Sequence, residues 1–273
     1  MIEAKVIEDS ISEAGKRITT MQVKFHRFIL PEFNTHRVFS RNFSSSRAIP
    51  TKKLLEQVRN DPAMPVHWGK NQAGMQAAEE LEGLGKENAK DVWRMAYTAA
   101  CGYARMLSEI GAHKQIVNRV IEPYLWAHGV MTSTEWDNWF ELRAHEDAQP
   151  EIHELALRMR EAMDASTPKL LKQSEWHLPY VSTEERATGV TELLLKISAA
   201  RCCRVSYLKH DGTTPNVEED LNLFDRLAGA VPLHASPLEH QATPMQNKTL
   251  TSGNFVGWTQ YRKLWEREIY NKN

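Results

Sequence analysis

The sequence lacks long hydrophobic runs, and no apolar stretch approaches the roughly 20 residues that a transmembrane helix needs. It also lacks an excess of either charge, because 34 Lys and Arg residues face 35 Asp and Glu residues and the formal net charge is -1. Proteins that coat nucleic acid or a membrane surface ordinarily carry a broad positive field. We therefore expect neither a nucleic-acid partner nor a membrane partner, although a local basic pocket remains compatible with this balance.

Cysteine is scarce and its count is odd, with Cys101, Cys202 and Cys203 as the three residues. Adjacent cysteines rarely pair with each other, so we expect no disulfide framework and a reduced, cytoplasmic setting. Residues 1–10 carry acids in an alternating pattern without an uninterrupted apolar core, which predicts that no signal peptide is present.

The composition that is present, 41% hydrophobic and 25% charged over 273 residues, is typical of a globular protein with one large core or two small ones. Residues 3–8 and 18–25 alternate apolar and polar side chains, which predicts two strands joined near Gly15. No repeat or flexible linker interrupts the chain. We expect a single α+β domain over residues 1–273.

Apolar spacing predicts helices over 51–59 (capped by Thr51), 86–110, 190–200 and 217–228, with 61–85 as a long ordered loop. The 86–110 helix is predicted to bury one face, formed by Val92, Ala96, Ala99, Tyr103, Leu107 and Ile110. A capping pattern at Thr132 with Glu135 predicts a helix that carries Trp136, Trp139, Phe140 and Arg143. Pro150 predicts another helix start, with Ile152, Leu155 and Met159 inward.

The stretch THRVFSRNFSSSR, residues 35–47, concentrates the residue types that bind phosphate: one histidine, three arginines, one asparagine and four serines. Guanidinium forks match phosphate oxygens in pairs, and hydroxyl and backbone N–H groups fill the remaining acceptor sites. A solvated Ser/Arg loop is the simpler interpretation. However, Val38, Phe39 and Phe43 alternate with the polar positions, which favours a packed pocket wall and hence an anion-binding loop.

These residues resemble the signature RHRxxSxNExSxRY of the flavin-dependent thymidylate synthases. The positions that match are His36, Arg37, Ser40, Asn42, Ser45 and Arg47. NRVIEP (Asn118 to Pro123) is similar to the family's ARxxLP block, and LRAHEDAQPEI (Leu142 to Ile152) is similar to its LRxxxxAQxEIR block. The three blocks stand in the family's order. The resemblance implies a mainly antiparallel sheet with several helices.

Three later blocks also resemble the family, but in a different order. AARCCRVSY (Ala199 to Tyr207) and HASPLEH (His234 to His240) resemble segments that precede the RHR motif in the family, and GWTQYRK (Gly257 to Lys263) resembles the Gln and Arg just upstream of it. An order swap equivalent to circular permutation is tolerated when chain termini lie close together. We therefore expect residues 199–262 to pack beside residues 1–50.

The resemblance also implies ligands and roles. It implies dUMP as substrate, FAD as cofactor, NADPH as reductant, methylenetetrahydrofolate as carbon donor, and a homotetramer whose subunits share the site. The residues implied on the flavin side are His36, Arg37, Asn42, Arg143, Asp147, His240, Gln260 and Arg262. Those implied at the dUMP phosphate are Ser45, Ser46, Arg47 and Arg119.

His153 stands where the family's arginine would contact the base, so it is a candidate base contact together with Arg119. No protein nucleophile is assigned, because hydride from the flavin replaces it. A metal site at His234, Glu239 and His240 is rejected, because Pro237 interrupts the helical spacing that zinc motifs use.

Thr35, Phe43, Ala48 and His153 depart from the signature, and these departures leave the product open. The leading hypothesis is methylation of dUMP to dTMP. The alternatives are a deoxypyrimidine nucleotide hydroxymethylase on the same scaffold, a flavoprotein without turnover, and a phosphate- or nucleic-acid-binding module without catalysis. Arg119 as a surface charge and His240 as a core histidine are the corresponding structural alternatives.

Overall fold

The computed structural model describes residues 1–206 and 213–270; Tyr207, which ends the AARCCRVSY block, lies outside them. The strands are β1 (Glu3–Ser12), β2 (Arg17–His26), β3 (Ser40–Phe43), β4 (Trp126–Ser133), β5 (Lys169–Leu171), β6 (Ala242–Pro244), β7 (Thr251–Ser252), β8 (Phe255–Val256) and β9 (Trp258–Gln260). The α-helices are α1 (Leu30–Phe33), α2 (Thr51–Asn60), α3 (Gly83–Glu109), α4 (Lys114–Val117), α5 (Asp137–Arg143), α6 (Pro150–Asp164), α7 (Thr183–Arg186), α8 (Thr191–Arg204), α9 (Val217–Ala228) and α10 (Tyr261–Tyr270). Three 3-10 helices cover Arg27–Ile29, Asn118–Tyr124 and Ser236–Glu239.

A five-stranded sheet in the order β3-β4-β2-β1-β5 forms the centre of the fold. Its pairs are antiparallel except for β1 and β5, which run parallel. The predicted hairpin of β1 and β2 is confirmed, and it turns near Gly15, whose φ of 80° is a conformation that glycine adopts without strain. The predicted α+β class with a mainly antiparallel sheet is likewise confirmed.

The two faces of the sheet differ in chemistry because side chains alternate along each strand. Met21, Val23 and Phe25 of β2 enter the main apolar core, where α6 buries Ile152 and Leu155 completely. The helix predicted to start at Pro150 is thus confirmed with its inward face. The opposite face carries buried hydroxyl groups and is covered by the C-terminal part of the chain.

The helix predicted to be capped at Thr132 is wrong at its start. Thr132 lies in β4, and α5 begins only at Asp137 after an N-cap at Trp136. The Thr132 hydroxyl hydrogen-bonds the Oγ1 of Thr20 and the Nδ1 of His240 instead of capping a helix. Thr51 is the first residue of α2 and not its cap; its hydroxyl donates to Asn118 Oδ1 at 2.7 Å.

The predicted inward face of the long helix α3 is wrong at four of its six positions, although Leu107 packs against the core as predicted. Val92, Tyr103 and Ile110 are exposed by 64%, 62% and 79%, whereas Ala100 and Ala104 on another face are buried. The small residues let α3 approach the core closely, with Tyr97 and Leu107 packed beside them, while other large apolar side chains of α3 point outward. α3 therefore presents an apolar stripe that no described residue covers.

The C-terminal segment lies against the sheet on the side of the hydroxyl groups. Ala242, Phe255 and Trp258 form a buried cluster with Ile18 of β2 and Leu171 of β5. Trp258 Nε1 donates to the carbonyl oxygen of Lys16 at 3.1 Å. None of the helices in the described ranges is long and apolar enough to cross a membrane.

Candidate functional site

The loop at residues 35–47 is folded onto the protein and held by one of its own arginines. Arg41 donates through Nε to Asn34 Oδ1 at 2.9 Å, and through Nη1 to the carbonyl oxygens of His36 and Phe39 at 3.2 and 3.1 Å. These bonds fix the backbone on both sides of Arg37. The motif arginine Arg37 is exposed at the rim of this ordered loop.

A polar cleft of about 440 Å³, which we call the cationic cleft, separates this loop from the C-terminal segment. Its walls are formed by Arg37, Phe39, Arg41, Glu239, Gly253, Asn254, Gln260, Arg262 and Lys263. Three of the residues implied on the flavin side, Arg37, Gln260 and Arg262, meet here. Four cationic side chains and one carboxylate line the cleft, so its wall favours an anionic ligand.

Of the four cations, Arg262 and Lys263 are paired with acids, whereas the other two are not in the described part of the chain. Arg262 pairs with Glu239 and Glu266, and although burial opposes it, these partners raise the pKa of Arg262. Burial lowers the pKa of Arg41, against the attraction of Glu239. Among the described residues no salt bridge involves Arg37 or Arg41. The loop side of the cleft therefore carries the uncompensated positive charge.

The side chain of His36, although part of this loop, does not line the cleft; it is buried. Its Nε2 accepts a hydrogen bond from Nε of Arg143 at 2.8 Å, and its ring packs edge-on against Trp139 with centroids 4.7 Å apart. Burial, together with the charges of Arg143 and Arg41, lowers the pKa of His36 to about 4. A neutral His36 orients Arg143 and brings no charge to a phosphate.

Asn42 and His240 meet behind the cleft. The two residues are 198 positions apart, yet His240 Nε2 lies 3.3 Å from the side-chain amide of Asn42. His240 is fully buried, and burial lowers its pKa to about 3. His240 is thus a neutral ring that contacts a signature residue directly.

A second cluster gathers two of the residues implied at the dUMP phosphate around a carboxylate. Glu122 accepts a hydrogen bond from Ser46 Oγ and from Arg119 Nη1, and Arg27 Nη2 lies 3.2 Å from it. Burial alone would raise the pKa of Glu122, but Ser46 and the two arginines hold it below its usual value. The donors that a phosphate would need are here assembled on a carboxylate.

The remaining implied residues have fewer connections. Ser45 flanks Ser46, and Arg47 is exposed. Asp147 is exposed and lies 3.6 Å from His145 Nδ1, and His153 is half-buried near the start of α6. None of these four has a hydrogen bond to the cationic cleft in the described structure.

Phe43, which replaces the signature glutamate, belongs to the core. Its ring meets those of Phe25 and Phe33 edge-on at 5.5 and 5.4 Å. It also lies over Gly129, its register partner on β4, where a Cβ would come within 2.2 Å of the ring. Side chains alternate across a strand, so Asn42 and Phe43 face opposite sides of the sheet.

The thiols are unsuited to nucleophilic attack. Burial raises the pKa of Cys202 strongly, and burial also raises the pKa of Cys101 and of Cys203, although nearby arginines oppose it. A nucleophilic cysteine needs the opposite shift. In the two described ranges, no group of three or more His, Cys, Asp or Glu side chains is arranged to hold a metal ion.

Sequence reasoning missed Glu122, Arg27, Lys263 and the role of Arg41 in holding the loop. Glu122 stands inside the NRVIEP block and Lys263 ends GWTQYRK, so both were adjacent to residues that had been selected. Arg27 gave no signal, because only the fold brings it to Glu122.

Known proteins resemble this chain in sequence and in structure. The family model described as thymidylate synthase complementing protein matches residues 16–169, which is more than half of the chain. The structure is similar to the UMP/dUMP methylase PolB from Streptomyces cacaoi bound with 5-Br UMP, with a TM-score of 0.49, 15% identity, and coverage of 60% of this chain and 88% of that chain. PolB bound with 5-Br dUMP gives a TM-score of 0.47, 15% identity, and coverage of 60% and 90%. No curated protein matches the chain. On the extent of the family match, the chain belongs to the thymidylate synthase complementing protein family.

Proposed function

We propose that the chain transfers a one-carbon unit from methylenetetrahydrofolate to C5 of the uracil ring of dUMP, giving dTMP, with FAD as hydride carrier and NADPH as reductant. The observation that carries the proposal is the cationic cleft, in which Arg37 of the signature meets Gln260 and Arg262 from the other end of the chain. Membership of the family supports the reaction class.

The cleft fits the diphosphate of FAD in charge and in donor type. Arg37 and Arg262 would hold the phosphate oxygens in pairs, and the Gln260 amide adds a neutral donor. Arg41 would keep the loop closed over the bound group. Bound flavin supplies the hydride; the chain supplies binding, orientation and a fixed electrostatic environment.

The dUMP phosphate would bind at Ser46 and Arg119, with Ser45 and Arg47 adjacent. In the structure these donors are satisfied by Glu122, so binding would exchange a carboxylate for a phosphate on the same groups. Such an exchange keeps the donors oriented before the nucleotide arrives, which lowers the ordering cost of binding. Arg27 joins this proposed phosphate site because it contacts the same carboxylate.

The architecture around the two sites supports two subsidiary proposals. First, residues 199–262 take the place of the family's upstream segment, because His240 and Gln260 contact Asn42 and Ser40 in the signature loop. Second, copies of the chain associate through the exposed apolar stripe of α3 as part of a homotetramer. Sharing of a site between subunits would follow from that association.

A second candidate, hydroxymethylation of a deoxypyrimidine nucleotide, is favoured by two departures from the signature. Position 43 holds a phenylalanine that faces the core, so the carboxylate that the signature has at this position is missing. His153, a titratable ring in place of a permanent cation, would stabilise negative charge on the base less reliably. After transfer, the exocyclic methylene carbon would then add water, whose oxygen becomes the hydroxyl group, instead of receiving hydride from the flavin.

One experiment tests the proposal and separates the alternatives. The purified protein is incubated with dUMP, carbon-labelled methylenetetrahydrofolate, FAD and NADPH, and the nucleotide is analysed by mass spectrometry. Labelled dTMP is the expected product, and labelled hydroxymethyl-dUMP would establish the second candidate. A yellow protein that leaves dUMP unchanged would be a flavoprotein without turnover. A colourless protein with salt-dependent affinity for DNA would overturn both enzymatic proposals.

A further inference from the structure

Five buried side chains form an unbroken line of hydrogen bonds behind the candidate site; we call it the buried relay. Its members, in order, are Ser10, His177, Thr20, Thr132 and His240. The distances are 2.9 Å from Ser10 Oγ to His177 Nδ1, 2.8 Å from His177 Nε2 to Thr20 Oγ1, 2.7 Å between the two threonine hydroxyls, and 2.9 Å from Thr132 Oγ1 to His240 Nδ1. All five residues are fully buried.

The relay spans the three central strands of the sheet, β1, β2 and β4. Ser10 is on β1, and Thr20 and Thr132 are register partners on β2 and β4. His177 is held in place by backbone hydrogen bonds in both directions with Ala242. Two hydroxyl groups on paired strands, those of Thr20 and Thr132, therefore connect His177 to His240.

Each threonine hydroxyl both donates and accepts within the relay only when all hydrogen bonds of the relay point the same way. Burial lowers the pKa of His240 to about 3, and burial followed by the charges of Arg186 and His240 lowers the pKa of His177 well below its usual value. Each neutral ring therefore has one N–H and one lone pair, and each threonine hydroxyl has a single hydrogen to donate. Because a hydroxyl can accept two hydrogen bonds but donate only one, reversing one bond would leave a buried hydroxyl hydrogen without an acceptor in the relay, or two acceptors facing each other.

Asn42 selects the direction. Its amide is satisfied when the nitrogen lies toward the carbonyl oxygens of Arg41 and Ser236, at 3.0 and 3.2 Å. That same nitrogen is the amide atom 3.3 Å from His240 Nε2. A proton on Nε2 would face another donor, so Nε2 carries the lone pair and Nδ1 donates to Thr132.

We propose that His177 is a positioning residue that, through Thr20 and Thr132, keeps the proton of His240 on Nδ1 and thereby holds the Asn42 amide in one orientation. The assignment of Asn42 to the flavin side rests on the proposed function, but the relay itself does not. In this arrangement each residue donates its hydrogen bond to the next, in the order His240, Thr132, Thr20, His177 and Ser10. A reversed relay would instead place a proton on Nε2 and turn the amide over.

The test reads the tautomer of His240 directly, in protein that carries ¹⁵N-labelled histidine, without any ligand. In the wild-type protein we expect Nδ1 to show the nitrogen shift of a protonated ring atom and Nε2 that of an unprotonated one. Thr132→Val removes the acceptor of Nδ1–H, and Thr20→Val removes the acceptor of the Thr132 hydroxyl. Both changes should raise the population with the proton on Nε2.

The controls separate relay effects from general loosening of the core. Thr19→Val removes an equally buried hydroxyl on the adjacent β2 position, which donates to Asp9 and is outside the relay, so His240 should keep its wild-type shifts. Thr20→Ser keeps a hydroxyl and should restore them. If the relay holds, His177→Phe should act like Thr20→Val.

The inference is overturned if wild-type His240 carries its proton on Nε2, or if Thr19→Val shifts the tautomer as much as Thr20→Val. It is also overturned if neither Thr20→Val nor Thr132→Val changes the shifts, or if His177→Phe leaves them unchanged. Flavin titration of the same proteins is a separate readout. If His240 has the expected tautomer but the protein does not bind flavin, the proposed function is contradicted and the relay stands. If the protein binds flavin but the tautomer is unchanged in all variants, the relay is contradicted and the proposed function stands.

Discussion

Gln260 Nε2 donates a hydrogen bond to Ser40 Oγ at 3.2 Å, although 220 residues separate the two positions. Asn254 completes the contact, since its Oδ1 accepts from Gln260 at 2.9 Å and from Ser40 at 3.0 Å. The signature loop and the end of the chain are thus joined by a closed set of three polar side chains. The cationic cleft opens directly beside them.

Arg37→Ala should weaken FAD binding by about ten- to hundredfold. A hydrogen bond to a charged group contributes about 1.5–3 kcal/mol, and every 1.4 kcal/mol is tenfold in affinity. Quenching of flavin fluorescence measures the change. Arg158→Ala is the matched control, because Arg158 is an exposed arginine of α6 paired with Glu154. Equal losses in the two variants, or no loss in Arg37→Ala, would remove the cleft from consideration as the flavin site.

Arg119→Ala should weaken binding of dUMP by about tenfold or more and leave binding of deoxyuridine unchanged, because only the phosphate is recognised there. Isothermal titration with both ligands gives the comparison. Arg94→Ala is the control, since Arg94 also pairs with a carboxylate three residues away, Asp91, on an exposed helix face. A parallel loss of deoxyuridine binding would mean that Arg119 supports the fold or the base instead of the phosphate.

Replacing Tyr103 by Glu on α3 should dissociate the assembly. A buried charge at a subunit contact is costly, whereas the same charge on a free surface is not. Sedimentation velocity should show a fall in mass relative to wild type. Thr98→Glu, an exposed position on the same helix, is the control and should keep the wild-type mass. A monomeric wild-type protein would contradict the proposed association.

Acid should destabilise the protein through its buried neutral histidines. His240 has an ordinary pKa of 6.5 when unfolded and about 3 when folded, so below pH 6.5 the unfolded state binds the extra proton. The contribution of His240 to stability is therefore complete above pH 6.5 and falls by up to about 1.4 kcal/mol per pH unit toward pH 3.

Glu8 changes the free energy of unfolding with pH in the opposite direction. Burial, against the attraction of Arg186 and Lys169, raises its pKa to about 7, so its contribution is complete below pH 4.5 and is lost as the pH rises through 7. Comparison with His240→Gln isolates the histidine, because Glu8 is common to both proteins. Urea unfolding between pH 7.5 and 4.5 should show the difference in free energy shrinking as the pH falls. A constant difference would contradict the shift.

The sequence predicted elements whose periodicity is simple and local. The β1–β2 hairpin follows from alternation, and α6 follows from Pro150 and its inward apolar spacing. β4 was missed because a central strand buried on both faces does not alternate. The face of α3 was inverted because apolar residues occur on two sides, and small Ala100 and Ala104 permit the closer approach.

The residues of the candidate site also fall into those that a local motif predicts and those that only the fold brings together. Arg37, Gln260 and Arg262 were selected from motifs, and they meet at one cleft. Glu122 and Arg27 could not be selected, because their significance arises from a contact between residues 95 positions apart that only the fold creates. In addition, an argument from charge excludes a carboxylate from a phosphate site, because the two negative groups repel each other.

The Phe43 ring occupies the space that the missing side chain of Gly129 leaves open. A glutamate at position 43 would therefore forfeit aromatic contacts and leave a void, and any larger residue at position 129 would collide with the ring. Replacing Phe43 by glutamate therefore calls for a second change at position 129. A variant with only one of the two changes would have either a cavity or a steric clash at this point of the core. Libraries that aim to convert one chemistry into the other should vary the two codons jointly.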